Sequence, residues 1–158
     1  TEKNKWVFKL LVKNGITHDC SIFPAGRAHG GLPSYSKAVP SILKYEDISL
    51  KEFPINTISF FCKQWIFSGG GYFRLVPYSL IKKWTKKSDY IMTYFHPRDF
   101  DPHQPIISDL SRVRKFKSYV GLKTAMNKLQ KWSNDIKFID LETADQKINW
   151  NNAPIVKL

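Results

Sequence analysis

A glycine triplet, Gly69-Gly70-Gly71, is the feature that most constrains how this chain can fold. Residues without a Cβ let the backbone approach another backbone or a ligand more closely than any other residue type. Pro77 follows, and its fixed φ suits the beginning of a helix. The apolar run 90–95 then ends at His96. We therefore expect the run to form a strand that delivers one imidazole to its carboxyl end, where α/β folds carry their chemistry.

Helical and extended patterns alternate along the chain, which favours an α/β fold with mostly parallel strands alternating with helices. Helical spacing of apolar residues predicts helices at 6–11 (ending at Gly15), 77–87 and 122–132, and a capping-box pattern predicts a short one from Thr143. Strands are predicted at 16–22, 53–61 with 65–67 as a continuation, 90–95 and 136–141. Two long loops, 25–46 and 96–116, separate them. The length predicts a single domain over residues 1–158.

The charge balance is strongly basic, with 25 Lys and Arg against 13 Asp and Glu and a net charge of +12. This balance suits nucleic acid, an anionic membrane surface or an acidic polysaccharide, and a lysine-rich solvated surface explains it as well. The stretch 112–117 interleaves basic and apolar residues without any recognised nucleic-acid-binding motif. We therefore expect no nucleic-acid partner and only weak contact with an anionic membrane surface.

Six residues carry imidazole or thiol chemistry: His18, His29, His96, His103, Cys20 and Cys62. None has the spacing that places two metal ligands on one helix face, so we predict no metal site in this chain. The two cysteines are predicted to be small buried hydrophobic residues. His96 is the best candidate for a general acid, because an apolar run precedes it and Pro97 turns the chain away. A structural histidine at a strand end is the alternative.

Four further residues are candidates for binding a ligand. Arg74, beside the glycine triplet, can bind a carboxylate or phosphate through two N–H groups. Tyr72 and Tyr94 can line a sugar groove, with core packing as the competing explanation for the aromatic residues of this region. Asp99 would share one side of an extended chain with Asp101, where the pair could orient His96, ligate a cation or form Asx turns.

Several segments resemble, in this order, one known family: Ser21-Ile22-Phe23-Pro24, Gly31-Leu32-Pro33, Glu52-Phe53-Pro54, 69–78, 94–105 and 115–123. They are similar to the C-terminal part of NodB-type polysaccharide deacetylases, which are carbohydrate esterases. The resemblance is greatest to the subgroup associated with exopolysaccharide and capsule synthesis, which carries a C-terminal extension. It covers residues 6–141 and leaves residues 142–158 as a tail outside it.

The resemblance implies the C-terminal part of a distorted (β/α) barrel and a metal-dependent N-deacetylase acting on N-acetylhexosamine-containing glycans. In that family an aspartate pair and a His-x-x-x-His segment serve the metal, usually zinc, and a late histidine protonates the leaving amine. His96 stands at the late histidine. The glycan-binding residues are expected to be Tyr72, Arg74, Tyr94 and Asp99.

The metal-binding segments of the family have no counterpart in this sequence. The metal and the catalytic base are therefore expected upstream of Thr1, and the chain alone is expected to be inactive. An upstream segment or a second copy would cover the open sheet edge of a partial barrel. Two other classes stay open, namely a non-catalytic glycan-binding or assembly module on this fold and, more remotely, a basic nucleic-acid-binding domain.

Overall fold

The computed structural model describes residues 2–25, 31–35, 38–60 and 63–158. The helices, in chain order, are α1 (Val7–Lys13), α2 (Gly70–Leu75), α3 (Tyr78–Lys86), α4 (Arg112–Tyr119), α5 (Leu122–Asp135) and α6 (Leu141–Lys147). The strands are β1 (His18–Asp19), β2 (Ser41–Tyr45), β3 (Ile48–Glu52), β4 (Ile58–Phe60), β5 (Lys63–Trp65) and β6 (Ile155–Lys157). Short 3₁₀ helices are formed by Glu2–Asn4, Pro97–Phe100 and Trp150–Asn152. His29 and Cys62 lie outside the described residues, so the predictions made for them stay predictions.

The chain divides into two compact units. The first unit comprises Thr1–Trp65 and Ile139–Leu158, and the second unit comprises Ile66–Phe138. The residues predicted to be a tail, 142–158, belong to the first unit and supply a strand to its sheet. None of the helices in the described ranges combines the length and the hydropathy that a membrane span requires.

The first unit is built on a four-stranded sheet with the order β1-β3-β2-β6. The β1–β3 and β2–β6 pairs are parallel, and the central β2–β3 pair is antiparallel. Leu43 pairs with Leu50 on one side and with Val156 on the other, and all three side chains are buried. Each such burial contributes about 1.5–3 kcal/mol to the free energy of unfolding. The mixed α/β class predicted from the sequence is confirmed, whereas the barrel stays a prediction.

The core of the first unit lies between this sheet and α1, and its buried members are Phe8, Ile22, Leu32, Tyr35, Leu43, Leu50 and Val156. Helix α1 ends at Asn14, and Gly15 follows with φ +77°. A left-handed residue directly after a helix is the usual position of a terminating glycine, so the predicted end of α1 is confirmed. The β4–β5 pair forms a separate antiparallel ribbon in the same unit.

The second unit is helical, and its centre is the buried indole of Trp132 on α5. Its ring packs against Phe73, with 5.3 Å between ring centroids, and its Nε1–H donates to Thr85 Oγ1 at 3.0 Å. The helices predicted at 77–87 and 122–132 are confirmed as α3 and α5. Pro77 immediately precedes α3, as its missing N–H and fixed φ favour.

The predicted strand at 90–95 is wrong. Within the described residues its only strand-like pairing is an isolated bridge between Tyr94 and Gly69. In a short apolar run the periodicity of the sequence cannot distinguish a buried strand from another buried segment. Here the run passes alongside the residues that begin α2, and Ser68 Oγ donates to Met92 O at 2.8 Å.

The strand predicted at 136–141 is also wrong, because a helix cap takes its place. The Asp140 carboxylate accepts the N–H of Thr143 at 2.7 Å and starts α6 at Leu141. The helix therefore begins before the capping-box pattern at Thr143 would place it.

Four other segments differ from the prediction. The loop predicted at 25–46 ends in β2, and the loop predicted at 96–116 contains the 3₁₀ helix Pro97–Phe100 and the first residues of α4. Within the described residues 53–60 the only strand is β4, and the strand predicted at 16–22 is reduced to His18–Asp19.

Candidate functional site

The candidate site lies in the second unit, around the imidazole of His96. The Tyr94 hydroxyl and His96 Nε2 are 2.8 Å apart, and their rings meet edge to face with 4.9 Å between centroids. Both side chains are exposed, Tyr94 by 50%. Because a phenol both donates and accepts hydrogen bonds, this contact suits either protonation state of the imidazole. The predicted catalytic histidine is thus reachable from solvent and has one defined partner.

Asp99 fixes the backbone of His96 rather than its ring. Its Oδ2 accepts the main-chain N–H of His96 at 3.0 Å, and its own N–H donates to the His96 carbonyl at 2.9 Å. These reciprocal bonds start the 3₁₀ helix Pro97–Phe100, in which Asp99 is buried. The expected extended pairing of Asp99 with Asp101 is wrong, since this helical turn separates them. Asp101 instead accepts the N–H of His103 at 2.9 Å, which is the Asx turn named among the alternatives.

Arg74 lies behind Asp99 and is buried on α2. Its Nε is 3.3 Å from Asp99 Oδ1 in an ion pair. Its Nη1 donates to the carbonyls of Ser118 and Val120 at 2.8 and 3.2 Å, and its Nη2 donates to that of Lys117 at 3.1 Å. Burial lowers the pKa of the Arg74 guanidinium, and the charge of Asp99 opposes that shift.

The partners of Arg74 and Asp99 among the described residues are therefore internal. Direct contact of either residue with a glycan stays a prediction. Tyr72 lies on α2 and is half-buried, and its predicted place in a glycan groove likewise stays a prediction.

The glycine triplet allows α2 to begin against Tyr94. A Cβ on Gly69 would lie 2.2 Å from the carbonyl oxygen of Tyr94, a distance that no side chain tolerates. That oxygen accepts the N–H of Gly70 at 3.1 Å. The close backbone approach expected from the triplet is present, and the approaching segment begins α2.

Sequence reasoning missed two residues that support Arg74. Lys128 on α5 donates to the carbonyls of Phe73, Arg74 and Val76 at 2.9, 2.8 and 2.8 Å, and its burial lowers its pKa. Gly121 precedes α5 with φ +71°, and a Cβ there would lie 2.5 Å from Arg74 O. The glycine directly before a helical pattern could have indicated the role of Gly121. One lysine in a chain rich in basic residues does not stand out, so nothing in the sequence indicates the role of Lys128.

His18, in the first unit, has a structural environment. Its Nδ1 is 2.8 Å from Thr17 Oγ1, and its Nε2 is 2.9 Å from Asp145 Oδ1. Lys51 Nζ contacts both oxygens of Asp145 at 2.8 and 3.0 Å. The hydrogen bond from Lys51, with that from His18, holds the pKa of Asp145 below its usual value. This cluster joins α6 to the sheet and leaves His18 with two protein partners.

The described residues do not fit a metal. No three His, Cys, Asp or Glu side chains in ranges 2–25, 31–35, 38–60 and 63–158 are grouped to hold one. Around His96 the nearest carboxylate, that of Asp99, already binds Arg74. Cys20 is a free thiol, and burial raises its pKa to about 11.

Fold and site together define an α/β protein in which a buried arginine–aspartate pair, Arg74 and Asp99, supports the exposed His96. Residues 20–146 match the family described as "Domain of unknown function (DUF3473)", and the chain belongs to this family. No curated protein and no solved structure matches the chain.

Proposed function

We propose that the chain is the C-terminal portion of a metal-dependent polysaccharide N-deacetylase in which His96 is the general acid. The observation that carries the proposal is the exposed imidazole of His96. Asp99 fixes the backbone of His96, and Tyr94 is the only partner of His96 Nε2 among the described residues. These residues fall within a segment that resembles the deacetylases and within the family match over 20–146.

The chemistry assigned to His96 is proton transfer to a leaving amine. Hydrolysis of an N-acetylhexosamine acetamide forms a C–O bond between water and the carbonyl carbon. It breaks the C–N bond, whose electron pair passes to nitrogen. The protonated imidazole gives its proton to this nitrogen, so that the amine departs neutral while acetate remains. Imidazole is the side chain that proteins use most often as a general acid.

The neighbours of His96 have supporting roles in this proposal. Tyr94 holds the ring through Nε2 until the substrate nitrogen replaces its hydroxyl, and Tyr72 and Tyr94 contact the sugar. Arg74 and Asp99 hold the backbone in place. The proposal assigns the divalent ion and the base that activates water to sequence outside residues 1–158, and the described residues offer no group of three metal-binding side chains.

The test is acetate release from an N-acetylglucosamine oligosaccharide with added zinc. We expect turnover when the sequence upstream in the gene is joined to this chain, and none from the chain alone. His96→Ala should lower kcat by roughly 10²–10⁴-fold, which is the usual contribution of a positioned general acid. His103→Ala is the matched control, since His103 is exposed in the same unit and its hydrogen bond to the described residues is through its backbone N–H.

Other outcomes would favour the other classes. If both proteins are inactive but bind the oligosaccharide saturably, the chain is a glycan-binding module. Affinity for RNA or DNA that falls steeply with salt and ignores His96 would instead indicate a nucleic-acid-binding domain.

A further inference from the structure

The outer side of α4 and the loop before it form an exposed surface of apolar and basic side chains, which we call the α4 patch. Its apolar members are Ile106, Ile107, Val113 and Phe116, exposed by 68%, 53%, 64% and 58%. Its exposed cations are Arg112, Arg114 and Lys117. Within the described part of the chain none of these three cations forms an ion pair. Large exposed apolar side chains that lie together mark interaction sites.

Position along the helix places the basic and apolar members of the patch side by side. At 100° per residue, Arg112, Phe116, Val113 and Lys117 follow one another around roughly 140° of the helix circumference. The two apolar side chains therefore lie between two cations. This is the arrangement of a helix that inserts its apolar side chains into a membrane interface while its cations contact the headgroups.

Hydrogen bonds fix the backbone that carries the α4 patch. The buried guanidinium of Arg74 binds the carbonyls at the C-terminal end of α4, and Ser111 accepts the N–H of Arg114 at the N-terminal end. The Tyr119 hydroxyl donates to Pro105 O and accepts the N–H of Ile107, both at 2.9 Å. Because these contacts attach the helix and the loop to the second unit, the outward side chains need little ordering on binding.

We propose that the α4 patch docks the protein on an anionic lipid bilayer. The patch pairs cations with side chains that need a hydrocarbon environment, and a bilayer with acidic headgroups supplies both. Nucleic acids and acidic polysaccharides supply negative charge but no hydrocarbon environment for the apolar side chains. A second copy is disfavoured, because it would bring like charges together on a chain of net charge +12. The proposal is independent of the deacetylase function and holds for a non-catalytic protein too.

The experiment is co-sedimentation of the full chain with vesicles of phosphatidylcholine alone or mixed with phosphatidylglycerol. We expect binding to the mixed vesicles only, weakening as salt is added. Arg112→Ala with Lys117→Ala should reduce the partition coefficient by about 30-fold, since each cation near an anionic surface contributes a factor of roughly five. Lys83→Ala with Lys86→Ala removes the same charge from α3 outside the patch and should have a clearly smaller effect.

A second pair of variants tests insertion. Phe116→Ser should weaken vesicle binding, whereas Leu10→Ser, at another exposed apolar position, in the first unit, should not. Circular dichroism checks that each variant is folded. Equal losses from the α3 and α4 charge pairs, or no effect of Phe116→Ser, would overturn the proposal in favour of net-charge attraction. Failure to bind the mixed vesicles would also overturn the proposal, whether or not the chain binds other polyanions such as dextran sulfate or an acidic protein.

Discussion

Lys128 Nζ lies 2.8 Å from the main-chain oxygen of Arg74, the residue whose guanidinium holds both Asp99 and the end of α4. The ammonium group binds three carbonyls at the C-terminal end of α2, where a helix leaves its last acceptors without partners. A cation at this end also interacts favourably with the helix dipole. One side chain on α5 thereby stabilises the helix that carries Arg74.

Lys128→Met should lower the free energy of unfolding by about 1–3 kcal/mol, because it leaves carbonyls without a donor in a partly buried place. Urea denaturation followed by circular dichroism measures the change. Lys123→Met, at an exposed position on the same helix, is the control and should change stability by less than about 0.5 kcal/mol. Equal effects of the two substitutions would show that the carbonyl contacts contribute nothing.

Gly121→Ala should destabilise the protein more than Gly15→Ala, although both glycines have positive φ. Left-handed backbone at alanine costs roughly 1–2 kcal/mol at either position. A Cβ on Gly15 meets nothing within 4 Å, whereas one on Gly121 would lie 2.5 Å from Arg74 O. We expect this clash to add roughly 1–3 kcal/mol at Gly121. Similar midpoints for the two variants in urea would contradict the close approach.

Glu52→Gln should flatten the pH dependence of stability. Burial, with the charge of Asp19, raises the pKa of the Glu52 carboxyl to about 10. A group whose pKa is raised on folding contributes stability that is complete below its unfolded pKa, roughly 4.3, and is lost as pH rises toward the folded value. The free energy of unfolding of the unmodified chain should therefore fall between pH 5 and 10 more steeply than that of the variant. Parallel urea-midpoint curves for the two proteins would show that Glu52 is not the group responsible.

Asp99→Asn should act on the proposed reaction through His96. An amide oxygen still accepts the His96 N–H but no longer carries the charge that faces Arg74. In the upstream-extended protein we expect kcat to fall about tenfold, equivalent to roughly 1.4 kcal/mol of transition-state stabilisation, with little change in KM. Asp101→Asn is the matched control, because Asp101 is exposed and its carboxylate accepts the backbone N–H of His103. A change in KM alone would place Asp99 against the glycan instead.

The parts of the fold that local sequence determines were predictable. Helix α3 has Pro77 at its start, and α5 has apolar side chains at helical spacing, so both could be located within a few residues. Gly15 ends α1 as its position indicated. These features depend on residues within one or two helical turns of each other, which is the range over which periodicity and caps carry information.

Pairing across long separations was not predictable. Strand β2 lies at the end of a segment that the sequence pattern predicts to be a loop. It forms because it pairs with β3 and β6, and the sequence of β6 has no pattern that predicts a strand. The site shows the same division. His96 could be singled out from the apolar run before it, but nothing local indicates that Arg74 reaches the carbonyls of Ser118 and Val120.

The pairing of β2 with β6 has a consequence for how the protein forms during synthesis. Ile42 lies opposite Ile155, so the sheet of the first unit is completed by a strand that leaves the ribosome only after the whole of the second unit. The second unit is one continuous segment, so all of its own residues are available as soon as Phe138 emerges. Because nascent chains fold as their contacts become available, the second unit can fold while the first still waits with an unpaired strand. Deletion of β6 would therefore prolong the exposure of β2 and favour aggregation.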